Sequence, residues 1–334
     1  MPERVLTKYQ YGPEVTRGTA VAATRILGAD PAPVPNDRIW NQVRYSAGRR
    51  GGAAHKRNDT LLVKDTLNFS NLYFQALPLL LQCSIDGTIA PAEQTAGQLD
   101  YLWSAVPLWN APNTPSTISL QLGDDVQAWV MEYLMFDRLK FSWGVPQDGE
   151  GSPVSCEASY FARQLTAQAF TAALTLPSNL AVLNGKLCRM WLDSSWATAG
   201  TTEVTNTLRG GELEILTGNH PKFFGSANKY FEGYGEGDIV GMATLTLEGN
   251  ANALAAYNDF RAGTPKVLRL EFQGPQIGTG VNSRFRIDLN GYWEIVTPVN
   301  SENKGNNLTR GVFRTLDDGT NVLAASVITT INAL

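Results

Sequence analysis

Two stretches decide the fold: Asp59-Thr-Leu-Leu-Val-Lys-Asp-Thr-Leu-Asn-Phe-Ser-Asn71 and Asp238-Ile-Val-Gly-Met-Ala-Thr-Leu-Thr-Leu-Glu-Gly-Asn250. In each, an Asp opens a run whose alternation reads as a strand with one face in a core. In each, the run leads into a helical pattern at an Asn. The offset is 179 residues at both ends, 238 − 59 and 250 − 71. Residue identity is low, so the correspondence rests on order and spacing.

The match extends outward. After the helix, Tyr101 to Val106 answers Lys266 to Phe272. Thr117 to Leu134, around Trp129, answers Phe285 to Val296, around Trp293. Before it, Thr19 to Leu27 answers Lys186 to Leu192, and Arg38 to Arg44 answers Arg209 to Leu216. Strands are also expected at Leu139 to Trp143 and Val154 to Ala162. Gly123-Asp-Asp125 reads as a hairpin turn, and Asn290-Gly291 as a type I′ turn. Asn250 to Arg261 reads as a helix, capped by Asn250 or Asn252 and ended by Gly263. Ser70 to Leu81 reads as a second helix, with Ser70 as N-cap and Pro78 shortening or kinking it. The expected fold is mainly β: two tandem β-sandwich or barrel domains, each with one α-helix. The expected divisions are an N-terminal arm at 1–18, a first domain at 19–165, a linker at 166–184 and a second domain at 185–334.

Composition narrows the function. The 334 residues are 43% hydrophobic but only 17% charged, against about 25% in an ordinary soluble protein. Part of the surface is therefore expected to be buried against other subunits. A net charge of −4 argues against a protein built to grip phosphate backbones. The three cysteines, Cys83, Cys156 and Cys188, fit no disulfide framework and no zinc spacing. The two histidines, His55 and His220, are too few for a His-rich metal site. No catalytic, cofactor or metal site is expected, and the chain is read as no enzyme. The charged opening Met1-Pro-Glu-Arg-Val-Leu-Thr-Lys8 has no apolar core, so no secretory signal is expected. The uncharged runs Thr66 to Ile85 and Gln164 to Gly185 are too polar for a bilayer span.

Two long connectors attract attention. Arg49-Arg50-Gly-Gly-Ala-Ala-His55-Lys56-Arg57 is the only basic cluster. It reads as a phosphate contact, a solvated loop, or an assembly arm that docks on an acidic neighbour, the last being favoured. It lacks the interleaved aromatics that stack on bases. In the corresponding place, Asn219 to Asp238 carries Phe223, Phe224, Tyr230, Phe231 and Tyr234. These read as a sugar platform or, better, as residues buried against a neighbouring subunit. Arg49, Arg50, Lys56, Arg57, Phe223, Phe224, Tyr230 and Phe231 are the candidate contacts with neighbouring subunits. Asp124-Asp125 and Asp317-Asp318 read as turns, not as calcium ligands.

Taken together, the segment Gly18 to Leu27, the loop Tyr45 to Asn58, the strand-helix unit Thr60 to Leu77, the run Thr117 to Trp143 and the strand Val154 to Ala162 resemble the major tail tube proteins of long-tailed bacteriophages. Members of that family are usually single domains forming six-membered rings. This chain resembles the duplicated type, in which three chains make a pseudo-sixfold ring. The resemblance implies a structural virion protein of the viral tail, assembled in the host cytoplasm. It also implies a self-assembling, acidic-lined conduit for DNA, whose partners are further copies, a tape measure and a tail terminator. The alternative reading is a carbohydrate-binding or decoration β-sandwich module of a virion, supported by eight tryptophans and the aromatic connector.

Overall fold

Alternating strands with one apolar face need a second layer to cover that face. The computed structural model describes residues 6–43, 55–86, 90–146, 151–177, 179–303 and 305–334. It is mainly β, with large antiparallel sheets and two α-helices. The first half supplies β1 (Lys8–Pro13), β2 (Arg25–Leu27), β3 (Arg38–Val43), β4 (His55–Leu61), β5 (Val63–Phe69), α1 (Leu77–Gln82), β6 (Ala92–Glu93), β7 (Tyr101–Ala105), β8 (Ile118–Gly123), β9 (Ala128–Gly144), β10 (Ser155–Ala162) and β11 (Leu165–Ala167). The second half supplies β12 (Cys188–Asp193), β13 (Leu208–Leu216), β14 (His220–Lys222), β15 (Gly233–Gly235), β16 (Val240–Glu248), α2 (Ala251–Ala262), β17 (Lys266–Gly278), β18 (Val281–Asn303), β19 (Asn306–Thr315) and β20 (Leu323–Thr329).

The two halves share one order of pairing. In the first, β1 pairs β8, β8 pairs β9, β9 pairs β10 and β11, and β10 pairs β5. In the second, β12 pairs β17, β17 pairs β18, β18 pairs β19 and β20, and β19 pairs β16. Both long central strands carry an extra residue at the same step. Asp137 bulges from β9 between Phe136, opposite Tyr160, and Arg138, opposite Ser159. Glu294 bulges from β18 between Trp293, opposite Phe313, and Ile295, opposite Val312.

The halves are not separate bodies. Arg138 to Gly144 of β9 pair with Leu216 to Gly210 of β13. β7 adds to β20 of the second half. One hydrophobic core runs through both. At the seam the Phe141 and Phe285 rings lie 5.3 Å apart, and Trp143 stands edge-on to Phe272 at 5.1 Å. Phe74, in the 3₁₀ turn before α1, fills space beside Gly274, where an added Cβ would meet its Cε2 at 2.4 Å.

Several expectations change. The counterpart of β17 is β8, and that of β18 is β9, because pairing rather than order sets equivalence. β7 is an added strand between β20 and the two-residue β6. The arm 1–18 contains β1, which is paired into the sheet. The counterpart of β12 is therefore β1 rather than Thr19 to Leu27. The linker 166–184 begins inside β11, and the Leu183 N–H donates to the Leu72 carbonyl at 2.8 Å. Val126 to Leu134 and Leu139 to Trp143 belong largely to one strand, whose bulge disguises the alternation. Ser70 caps no helix: its N–H and Oγ–H donate to Asp30 Oδ2 at 2.8 and 2.6 Å. The α-helix starts only at Leu77, with Pro78 in its first turn, where a missing N–H costs nothing. Asn290-Gly291 makes no turn, because β18 runs straight through it. Gly291 is required for a different reason: a Cβ there would meet the Arg314 carbonyl oxygen at 2.0 Å. By contrast α2 is as expected, with Asn250 accepting from the N–H groups of Asn252 and Ala253 and Gly263 closing it at φ 62°.

Candidate functional site

The two long connectors fold as hairpins. β3 pairs β4, so Lys56 and Arg57 stand on a strand instead of in a loop. The Lys56 ammonium lies 4.7 Å over the Trp40 ring, a cation–π contact on an exposed ribbon. Arg49 and Arg50 lie outside the described residues. β14 pairs β15 to form the second hairpin, with Phe223, Phe224, Tyr230 and Phe231 between them and Tyr234 on β15.

The aromatic residues divide. Phe231 is fully buried, in a small cluster with Tyr133, Met135 and Phe161. It meets Tyr133 edge-on at 4.9 Å and Phe161 at 5.4 Å. Phe231 is therefore an internal plug and offers nothing to a neighbouring subunit. Tyr230 is half-buried, whereas Phe223 and Phe224 are 44% and 61% exposed.

Arg163 locks this arrangement. Its guanidinium lies 4.7 Å over Tyr133 and 4.8 Å over Tyr230. Its Nε donates to the Phe231 carbonyl at 2.9 Å, and Nη1 to the Gly18 carbonyl at 3.0 Å. The Leu61 N–H donates to the Lys229 carbonyl at 2.9 Å, so the first hairpin is tied to the second at its base. Glu14 performs the matching task for the N-terminal segment. It accepts from the N–H groups of Gly18 at 2.7 Å and Tyr133 at 2.8 Å, and from the hydroxyls of Thr117 at 2.8 Å and Ser119 at 3.0 Å. Tyr133 sits at φ 59°, a costly conformation for an aromatic residue, held by these contacts. Neither Glu14 nor Arg163 stands in any motif, and nothing local in the sequence marks them.

The sheet across the seam presents one polar face. Leu139, Phe141, Leu213, Ile215, Ala243 and Leu245 point into the core. Their neighbours Lys140, Ser142, Glu212, Glu214 and Thr244 therefore point out. Lys140 pairs with Glu212 at 3.2 Å, and Arg138 with Glu214, both across the seam. Arg314 pairs with Glu294 at 3.1 Å. Acidic and basic side chains are interspersed on this face, and most of the basic ones are paired.

The remaining candidates are structural. Asp124 Oδ1 accepts from the N–H groups of Val126 at 2.9 Å and Gln127 at 3.0 Å, and Asp318 Oδ1 from those of Thr320 at 2.8 Å and Asn321 at 2.7 Å. These bonds hold both carboxyls below the usual range, as turn residues. Burial pushes the Cys83 and Cys156 thiols far above the usual range, which leaves them inert. Among the described residues no group of three or more His, Cys, Asp or Glu could hold a metal ion. Trp103, Trp143, Trp191 and Trp293 are buried, which removes half of the eight tryptophans from any sugar platform. No helix among the described residues is long and apolar enough to cross a membrane. The chain matches no protein-family model and no curated protein.

Proposed function

We propose that this chain is the repeating subunit of a hollow tube of the phage-tail type, with two tandem tube domains per chain and three chains per ring. One observation carries the reading. Two strand sets with the same pairing order are joined edge to edge, by β9 and β13, into a sheet with a polar face. Such a join is heterologous, so repeating it closes a ring or extends a wall. A closed ring removes the edges that would otherwise aggregate.

The polar face then lines the conduit. Arg138, Lys140 and Arg314 on it are already held by Glu214, Glu212 and Glu294, so passing phosphates find no free basic row to hold them. Neutrality replaces the acidic lining as the reason that DNA slides. The hairpins β3–β4 and β14–β15, with Lys56, Arg57, Phe223 and Phe224, become the contacts between stacked rings. Virion tail location follows from the same reading.

Native mass spectrometry of the purified chain tests it. The reading expects a smallest closed species of three chains. A six-chain ring would refute the pseudo-sixfold count, and a monomer at every concentration would refute the tube.

A further inference from the structure

The seam inside the chain has a counterpart at which, among the described residues, no second strand pairs. The bulges at Asp137 and Glu294 align Arg138 of β9 with Ile295 of β18. From Arg138 to Ser142, β9 has β10 on one side and β13 on the other. From Ile295 to Ser301, β18 has β19 on one side and, among the described residues, no strand on the other. Ile295 is 53% and Val299 66% exposed on this edge.

The helices repeat the asymmetry. Every residue of α1 is buried, and α1 and the preceding 3₁₀ turn pack on β20 of the second half. α2 buries only Ala253 and Ala256, packs on β18, and leaves Leu254 59% exposed.

The matching surface lies at the opposite end. Beside β16, on the side away from β19, lies β13. In the corresponding place beside β5 runs the segment 30–37. The Asp30 N–H donates to the Asn68 carbonyl at 2.7 Å, and the Leu62 N–H to the Asp37 carbonyl at 2.9 Å. Pro31, Pro33 and Pro35 deprive this segment of donors, which is why it forms no complete ladder with β5.

We propose that the open edge of β18 and the outer face of α2 are the docking surface for the first half of a second copy of this chain. Its segment 30–37 takes the place that β13 takes at the internal seam. The inference rests on reading the halves as tandem copies in a tube subunit. Continuity with the internal seam chooses the occupant: the same strand step, one half-chain earlier, is covered by this chain's own second half.

The internal register selects the probe. Lys140 opposes Glu214, and the aligned positions in the proposed contact are Thr297 and Val34. Both are exposed, so T297C and V34C should fold. The double variant, treated with a short bismaleimide under assembling conditions, should give covalent multiples of the chain, and neither single variant should. Leu254→Lys should keep the wild-type melting temperature yet raise the concentration needed for assembly about tenfold or more, as loss of an interface anchor does. Rings or tubes imaged in a sample that does not cross-link would overturn this interface and leave the tube reading standing. Wild-type protein that never assembles would overturn both.

Discussion

Phe231 and Phe224 stand a few residues apart on one hairpin, yet burial gives them opposite roles. Phe231→Ala should cost about 3–5 kcal/mol of stability, as aromatic truncation in a packed cluster does. Phe224→Ala should stay within about 0.5 kcal/mol of wild type, the usual range for exposed positions, while weakening assembly. Chemical denaturation of both variants separates the two roles. The sequence could not separate them, because period and composition are the same for a plug and for a sticky surface. Asp137 supports a second prediction. Its bulge position leaves Oδ1 buried with no hydrogen-bond partner, and burial raises its pKa, with Lys64 pulling the other way. A carboxyl raised on folding binds its proton more readily in the native state. It therefore opposes folding at neutral pH, and this penalty shrinks as pH falls below its folded value and is gone below its unfolded one. Asp137→Asn should raise the melting temperature at pH 7, and the gain should shrink on acidification. A gain that grows towards acid would contradict the burial argument.

At the scale of elements, legibility followed local chemistry. α2 could be read because Asn250 and Gly263 cap it, and those groups act within a turn. Asn250→Ala should cost about 1 kcal/mol, measurable by thermal melts, because two helix N–H groups lose their acceptor. α1 starts later than the apolar pattern from Ser70 suggests. Its residues are buried on every side, and tertiary burial, not an N-cap, defines where it begins. Asn290-Gly291 departs from its turn signature for a related reason. Asn-Gly signals a turn only where the chain reverses, and close approach to Arg314 demands glycine equally well. The strand-helix unit at Asp238 was legible because its alternation and caps are local, whereas the run at Asp59 divides at Leu62 between β4 and β5 and leads into no helix at Asn71, because burial rather than a cap starts α1 at Leu77. The edge pairings β9–β13 and β20–β7 were not, because partners so far apart in sequence leave no periodic mark. The candidate contacts were thus legible as residue types and not as surfaces.

For the whole molecule, the shared core makes the halves interdependent. The described chain should unfold in one calorimetric transition, with equal van't Hoff and calorimetric enthalpies, since Phe141, Trp143, Phe272 and Phe285 belong to both halves. Two separated transitions would mean that the seam contributes little. The same seam, repeated between chains, is the central claim. Cryo-electron microscopy of the purified protein under assembling conditions measures it directly. The account predicts hollow rings or tubes in which three chains supply six similar β domains around a wall of interspersed charges, with β18 of one chain beside segment 30–37 of the next. Solid filaments, twofold dimers, or rings in which β18 faces solvent would contradict it.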